Sequence, residues 1–344
     1  MNPRLANILS RSEAAVTAWN RFAFRRRHGR WPNDPPRTFN DHIFHVKTRE
    51  ALDPLRVFVA DKALVKLYLR ATIGDKHVVP TLALYDDEVT MRAGLARGHA
   101  VRSVVKPTHS SGLVLFADGP MEPSDMEIAA RWFRESLFTR TGERLYRHLR
   151  PRVIVEPFLD LERTGHRPRD FKIFCGRGRP VYVSVDHWHE PNGNDPLRHR
   201  SRSFYAPDWT PLPFRMELPV APLEPAPPML ERMLAIASAI ARDFSSIRVD
   251  FYASEDRCLV GELTNTAGNA SIRFLPDQRA DDLLGRAISD PALDVAALAH
   301  ALATPPQTAA TLAGATDAAS RLGTAREGSD GGLNESLNRV GARP

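Results

Sequence analysis

Apolar and polar positions alternate over Ile247-Arg248-Val249-Asp250-Phe251-Tyr252, and after a polar break a second strand-like run follows, Leu259-Val260-Gly261-Glu262-Leu263-Thr264, each run placing a carboxylate where an apolar residue is expected. Period two predicts two strands, with Arg248, Asp250 and Tyr252 on one face of the first and Ile247, Val249 and Phe251 on the other. A turn near Glu255 and Asp256 makes them a hairpin with Asp250 opposite Glu262. Like charges so opposed destabilise a sheet. Two readings follow: two solvent-facing carboxylates on an amphipathic hairpin, or a divalent-cation site, for which hard oxygen ligands suit Mg²⁺ better than zinc.

Elsewhere, residues 1–35 read as an amphipathic helix followed by the break Trp31-Pro32-Asn33-Asp34-Pro35-Pro36, an N-terminal helical appendage ending near residue 37. Helical spacing predicts helices over 38–45, over 61–71 with Ala63, Leu64, Leu67 and Tyr68 on one face, over 124–138 opening at Ser124 with Glu127, and over 229–244. Short strands are expected over 78–84, 101–106, 113–116, 153–156, 171–174 and 181–185. A polar segment, 187–203, reads as a long loop, and the Pro-rich stretch 218–228 as a connector. Beyond residue 304, Ala, Thr, Gly and Ser without apolar period predict a disordered tail.

Composition narrows the class without changing this outline. A chain of 344 residues with 42% hydrophobic content can bury a large core. The first 20 residues show no signal-peptide pattern and no run reaches membrane-spanning length, so a cytoplasmic protein is expected. Cys175 and Cys258 lie far apart with no C-x-x-C pair, and both are expected as buried thiols. The net charge of +6 comes mostly from arginine interspersed with acids, and no nucleic-acid motif is present. The local cluster Arg25-Arg26-Arg27-His28 with Arg30 reads as a solvated face or as a contact with a polyanion or the inner membrane face.

Lysine is the scarcer cation, and after Lys76 the chain holds only Lys106 and Lys172, each in an apolar strand. A compact ammonium with three rotatable donors fits a narrow phosphate site, whereas strand-end lysines also snorkel. Lys106 leads into Pro107-Thr108-His109-Ser110-Ser111-Gly112, a small-residue turn whose N–H groups and hydroxyls could hold phosphate oxygens, or which is simply a hairpin. Asp186 with His187 and His189 is read as packing or hydrogen bonding before metal binding, and Arg198, Arg200 and Arg202 as a solvated loop or a carboxylate site.

In order, a lysine, a small-residue turn, an apolar edge at 153–159, a second lysine and a carboxylate pair resemble the ATP-grasp superfamily, in its TupA-like, teichuronopeptide-biosynthesis branch. The resemblance runs from about Thr38 to Gly268. It is carried by Thr38-Phe39-Asn40-Asp41, Val59-Ala60-Asp61-Lys62 with Leu67-Tyr68, Val105-Lys106 with His109-Ser110-Ser111-Gly112, and Pro151-Arg152-Val153-Ile154-Val155-Glu156. It continues in Asp170-Phe171-Lys172-Ile173-Phe174-Cys175, Arg202-Ser203-Phe204-Tyr205 with Asp208-Trp209, and Val249-Asp250-Phe251-Tyr252 with Gly261-Glu262-Leu263-Thr264.

The resemblance implies an α+β ATP-grasp fold, two lobes with antiparallel sheets clamping ATP. The regions expected are 38–100, a small clamping lobe over 101–160 and a larger lobe with the metal site over 161–300. It implies Lys106 near the adenine and α-phosphate, His109, Ser110, Ser111 and Gly112 as the phosphate loop, and Glu156, Pro157, Phe158 and Leu159 along the adenine. Glu162 falls at the ribose, Lys62 and Lys172 at phosphates, and Asp250 and Glu262 on Mg²⁺. Arg248 and Lys172 are the catalytic candidates, Arg248 alternatively a salt-bridge partner of Asp250 or Glu262, and Arg202 is the substrate-binding candidate. Many superfamily members carry Glu-x-Asn where this chain has Glu262-Leu263-Thr264 and then Asn265, although the branch itself favours Glu-Leu-Thr. Ser110 stands where the branch usually has Gly, a cost in backbone freedom if φ there is positive.

The activity implied is ATP- and Mg²⁺-dependent carboxylate–amine ligation through an acylphosphate, joining an amino acid or amine to a sugar acid or peptide in cell-surface polymer synthesis. Two alternatives are a sugar or polyol kinase and a nucleotide-binding regulator without turnover.

Overall fold

The structure, a computed structural model, describes residues 12–161, 169–188 and 200–303. Glu162, His189, Arg198 and the tail beyond residue 303 lie outside the described residues. Helix α1 (Glu13–His28) is capped by Ser12 and by Gly29 at φ 72°. It buries Val16, Asn20 and Phe24, and hydrogen bonds from Arg144 to the Glu13 carbonyl and from Arg27 to the Ser271 carbonyl, both 2.6 Å, tie it to the rest of the molecule.

Helix α2 (Phe39–Thr48) begins in a capping box in which Thr38 and Asp41 each satisfy the other's backbone N–H. Asn40 reaches the Ile272 carbonyl at 3.0 Å and Asp281 at 2.9 Å. The Thr38-Phe39-Asn40-Asp41 motif is therefore an anchor: it locks α2 so that Phe39, fully buried, packs on Phe174 and Phe274 at centroid distances of 4.6 and 5.8 Å. Each such ring contributes about 1.5–3 kcal/mol by leaving water.

Helices α3 (Pro54–Ala60) and α4 (Val65–Ile73) follow, then strand β1 (Ala83–Tyr85) and α5 (Glu88–Arg97). Strands β2 (Ser103–Pro107) and β3 (Leu115–Ala117) precede α6 (Pro123–Trp132), α7 (Leu137–Thr141) and β4 (Val153–Pro157). The helix expected over 124–138 starts at Pro123 instead, with proline in its first turn and no side-chain cap from Ser124, and it ends at Trp132. The expected strand over 78–84 shrinks to β1, and Val78 makes an isolated parallel bridge to Val260.

The chain continues with β5 (Asp170–Gly176), β6 (Arg179–Trp188), β7 (Arg200–Tyr205), α8 (Leu230–Ala241), β8 (Ser246–Ala253), β9 (Cys258–Thr264), α9 (Arg279–Ser289) and α10 (Val295–Ala303). Two antiparallel sheets result, one of four strands in the order β1-β4-β2-β3 and one of five in the order β7-β6-β5-β8-β9. The fold is α+β, as the resemblance implies. One face of the large sheet, with Phe171, Ile173, Ile247, Val249 and Phe251, packs on α8 and α4. Phe174, Tyr182 and Phe204, on the opposite face, pack with α2 and α9. Cys175 and Cys258 are both buried and unpaired.

Between β7 and α8 the proline-rich segment runs along the outer strand. The Arg202 amide donates to Pro219 and the Ala221 amide to Arg202, at 2.8 and 3.0 Å, and the Glu224 amide donates to the Tyr205 hydroxyl at 2.9 Å. This covers backbone groups that an edge strand otherwise exposes.

Candidate active site

The hairpin register is the one the alternation predicts: Asp250 pairs with Glu262. The ladder carries a bulge just beyond, because Phe251 pairs with Val260 and Gly261 is the extra residue. A Cβ on Gly261 would lie 2.6 Å from the Tyr252 ring, so the bulge position has no room for a side chain.

Across the large sheet, period two places charged groups from neighbouring strands on a shared face. Lys172 of β5 stands beside Asp250 of β8 and Ser184 of β6, and Asp170 stands beside Tyr252 and Asp186. Arg202 of β7 pairs with Asp186. Lys172 Nζ contacts Asp170 closely and lies 3.3 Å from Asp250 Oδ2 and 3.7 Å from Asp186 Oδ2. Arg248 grips Asp250 with Nε on Oδ1 and Nη2 on Oδ2, both 2.6 Å, and reaches Thr264 Oγ1 at 2.9 Å.

These charges are buried together, so each sets its neighbour's proton affinity. Burial opposes ionisation of Asp250, yet Arg248 and Lys172 hold its pKa below the ordinary value. Asp170, also disfavoured by burial, is pushed upward, since Asp250 and Asp186 add to what Lys172 offsets. Burial works against the Lys172 ammonium, but the three carboxylates hold its pKa above normal.

Asp186 is fully buried, and the Arg202 hydrogen bonds, with Lys172, overcome its burial and bring its pKa down to about 2. Because the folded value is depressed, its stabilisation is complete above the unfolded value of about 3.9 and is lost as pH falls toward 2. Arg202→Gln is therefore expected to lower the melting temperature at neutral pH, with the gap to wild type closing below pH about 4 in a pH-resolved melting series. A gap that persists unchanged to pH about 2.5 excludes this linkage.

The small sheet supplies a facing set. Glu156 of β4 stands between two lysines, with Lys66 Nζ at 2.6 Å and Lys106 Nζ at 2.7 Å, one on each carboxylate oxygen. Burial lowers the Lys66 pKa despite Glu156, whereas Glu156, Tyr252 and Glu262 more than offset the burial of Lys106 and raise its pKa. Lys62 extends from the segment before α4 to the Ser110 carbonyl and to Glu262, 3.4 Å away. Asp61 holds that segment in place. Its carboxylate accepts from the Ala63 and Leu64 amides, from Thr108 Oγ1 and from Arg152, at 2.8 to 3.0 Å.

Between the two sheets lies a cleft of about 820 Å³, within the range of cofactor sites. Lys62, Lys106, Lys172, Arg202, Arg248, Asp250 and Glu262 line it, with Glu156, Pro157, Phe158, Leu159 and Gly112. Val104, Phe116 and Phe158 give it an apolar section, where Arg102 lies 3.9 Å from the Phe158 ring centroid.

Of the expected phosphate turn, Gly112 lines the cleft. His109 is buried with Nε2 2.9 Å from the Trp132 carbonyl, Ser110 is buried, and neither they nor Ser111 line the cleft. The left-handed position is Gly112 at φ 75°, not Ser110, so a serine at 110 carries no positive-φ cost. Asn265 is also turned elsewhere: its side chain exchanges hydrogen bonds with Arg56 at 3.0 and 3.2 Å.

The donor set fits Mg²⁺ with a polyphosphate. That ion is commonly held by one or two carboxylates, with phosphates and water completing six oxygens. Asp250 and Glu262, paired across the hairpin, would provide the two, and no cluster of three or more His, Cys, Asp or Glu suited to a self-contained metal site occurs among the described residues. A carboxylate has about four lone-pair sites. Arg248 occupies two on Asp250 and Lys172 a third, which leaves one directed elsewhere.

Sequence reasoning passed over Lys66, named Asp61 and Asp170 only within the family motifs and gave them no role, and read Asp186 as packing or hydrogen bonding before metal binding. Lys66 carried a readable signal: it falls between Val65 and Leu69, both buried, on a helix too apolar there for a solvated lysine.

No curated protein matches the chain. Among solved structures, the ATP-grasp ligase PsnB with its minimal precursor is 14% identical, with 64% of this chain and 55% of that one covered at a TM-score of 0.34. D-alanine–D-alanine ligase from Helicobacter pylori is 15% identical, covering 67% and 61% at 0.37. The macrocyclase MdnC bound to precursor peptide MdnA, from Microcystis aeruginosa MRC, is 12% identical, covering 62% and 56% at 0.33. The chain thus spans less than two thirds of the length of each of these structures. The TupA-like ATPgrasp family matches residues 44–289, a stretch that holds both sheets and every residue placed around the cleft, and the chain belongs to that family.

Proposed function

We propose that the protein is an ATP- and Mg²⁺-dependent carboxylate–amine ligase that works through an acylphosphate. The observation that carries this reading is the meeting, in one cleft, of Lys106 from the small sheet with Lys172, Asp250 and Glu262 from the large one. The apolar section at Val104, Phe116 and Phe158 suits a purine, with Glu156 to Leu159 along its edge. Lys62, Lys106 and Lys172 suit the phosphates. Mg²⁺ on Asp250 and Glu262 would cancel phosphate charge and align the transferred group.

In the reaction, a substrate carboxylate oxygen bonds to the γ-phosphorus and the bond to ADP breaks. An amine then bonds to the acyl carbon, inorganic phosphate leaves with its electron pair, and the amine loses a proton. Arg248 binds Asp250 through Nε and Nη2, which leaves Nη1 to stabilise the oxyanion formed in the second step. Arg200 and Arg202, at the far end of the same face, suit the acid substrate, a sugar acid or peptide destined for a cell-surface polymer.

No described helix is long and apolar enough to cross a membrane. A cytoplasmic site of action is part of this reading, as is peripheral contact with the inner membrane face through Phe22, 56% exposed, and the Arg25–Trp31 stack beside it.

The test incubates the full chain with ATP, Mg²⁺, and panels of uronic or amino acids with amines, and scores ADP, phosphoproduct and amide by mass spectrometry. Amide formed only when an amine is present is the expected result. A stable phosphoester indicates a kinase instead. Glu262→Gln is expected to slow ADP release by roughly a hundredfold, about 2.7 kcal/mol of barrier. If no nucleotide binds and Glu262→Gln leaves the thermal response to Mg-ATP unchanged, the reading fails.

A further inference from the structure

Of the three lysines that line the cleft, Lys62 is held least tightly. Lys106 places its ammonium 2.7 Å from Glu156, and Lys172 contacts Asp170 closely. The Lys62 ammonium instead donates to the neutral Ser110 carbonyl and meets its one carboxylate among the described residues, Glu262 Oε1, at 3.4 Å. That is longer than the roughly 2.7–2.9 Å of a charge-assisted hydrogen bond.

The backbone of the same residue is pinned from two sides. Its amide donates to the Thr108 carbonyl at 3.1 Å, and the neighbouring Asp61 accepts from Thr108 Oγ1 and from Arg152, both at 3.0 Å. Val59 and Val65, before and after it in the chain, are buried in the core beneath the large sheet. Only the flexible stem of the side chain can therefore carry the charge from one partner to another.

The two facing carboxylates are also balanced differently. Asp250 has Arg248 on both oxygens at 2.6 Å and Lys172 as well. Glu262 has Lys62 as its one ion-pair partner among the described residues, and its side chain is 33% exposed against 9% for Asp250. An ammonium beside Oε1 repels a divalent cation that approaches the same carboxylate. A polyphosphate in the cleft offers that ammonium closer, charged acceptors than a backbone carbonyl does.

We propose that Lys62 is the internal counter-ion of Glu262: it keeps a divalent cation off that carboxylate until nucleotide phosphates draw its ammonium away. The inference rests on the assignment of the cleft to Mg-ATP and adds an order to it, nucleotide first and tight metal binding with it. Linkage makes the effect reciprocal, so the metal strengthens nucleotide binding by the factor by which nucleotide strengthens metal binding.

The test titrates the full chain, free of nucleotide, with Mn²⁺ in place of Mg²⁺ and reads the free ion by electron paramagnetic resonance. Lys62→Gln and Lys62→Met are each expected to bind Mn²⁺ about tenfold more tightly than wild type, whereas Lys62→Arg, which keeps the charge, stays within about threefold. Lys106→Met, which removes a cation held by Glu156, is also expected to stay within about threefold. In a Glu262→Gln background the gain from Lys62→Gln disappears. Melting curves show which variants fold, and Lys62→Gln keeps an N–H for the Ser110 carbonyl should Lys62→Met fail to fold. The proposal falls if the folded Lys62 variants gain no affinity, if Lys106→Met gains as much, or if the gain survives Glu262→Gln. Wild type is titrated with Mg-ATP alongside: no binding there overturns the ligase reading, while binding there with no Mn²⁺ gain in the Lys62 variants overturns this inference alone.

Discussion

Asp250→Asn is expected to abolish ADP formation to within roughly one part in a thousand, about 4 kcal/mol of barrier, and to destabilise the fold by about 3–5 kcal/mol at neutral pH. The two effects share a cause. Asparagine keeps the shape and turns a double acceptor into a group that presents an N–H to the Arg248 fork, which holds both Asp250 oxygens at 2.6 Å. Lys172 keeps Asp170 and Asp186, so the orphaned charge is chiefly Arg248. Urea denaturation and ADP release measure the two losses separately. The double variant Arg248→Met/Asp250→Asn is expected to regain most of the stability and none of the activity. Retention of activity within about tenfold in Asp250→Asn removes Asp250 as a cation ligand.

Glu156→Gln is expected to cost about 3–5 kcal/mol and to make the protein unusually dependent on nucleotide. Lys66 and Lys106 share this one carboxylate, which is itself 4% exposed. Without it two buried ammonium groups face each other, and Lys66, already depressed by burial, loses its counter-charge. Its folded pKa then falls further below the unfolded value, so the unfolded chain binds more protons and the variant's deficit shrinks as pH rises.

A ligand present at 100 times its dissociation constant stabilises a protein by about 2.7 kcal/mol. If Lys106 faces the phosphates, Mg-ATP supplies the missing negative charge and raises the melting temperature of Glu156→Gln more than that of wild type. Equal shifts place the phosphates away from Lys106.

The register of the hairpin was legible because alternation of period two leaves a single pairing that buries Ile247, Val249 and Phe251 together. Lys106 and Lys172 were legible because lysine is scarce in the chain. Asp170 and Asp186 were not, since each acquires its meaning from strands brought beside it: Asp186 looks like an ordinary strand-end acid until β7 delivers Arg202. The role of Asp61 was not legible for the same reason, as its partners Thr108 and Arg152 come from just beyond the end of β2 and just before β4. The inward bond of His109 was not legible, because a polar residue in a small turn can bond inward as easily as outward, and here it lies against the Trp132 carbonyl. The start of the helix expected over 124–138 was misread by one residue, because Ser124 and Glu127 imitate a capping box within a turn that Pro123 already starts.

The bulge at Gly261 separates two properties of the carboxylate pair. In an uninterrupted ladder continuing from Phe251 and Val260, the next partner of Asp250 would be whichever residue follows Val260; removing Gly261 would bring Glu262 to that same place. Opposition of the two acids therefore does not depend on the extra residue. What the glycine adds is local twist and room for the Tyr252 ring, so it governs the aim of Glu262 rather than its choice of partner. Hairpins of either length could preserve the acid pair while pointing it at differently placed phosphates.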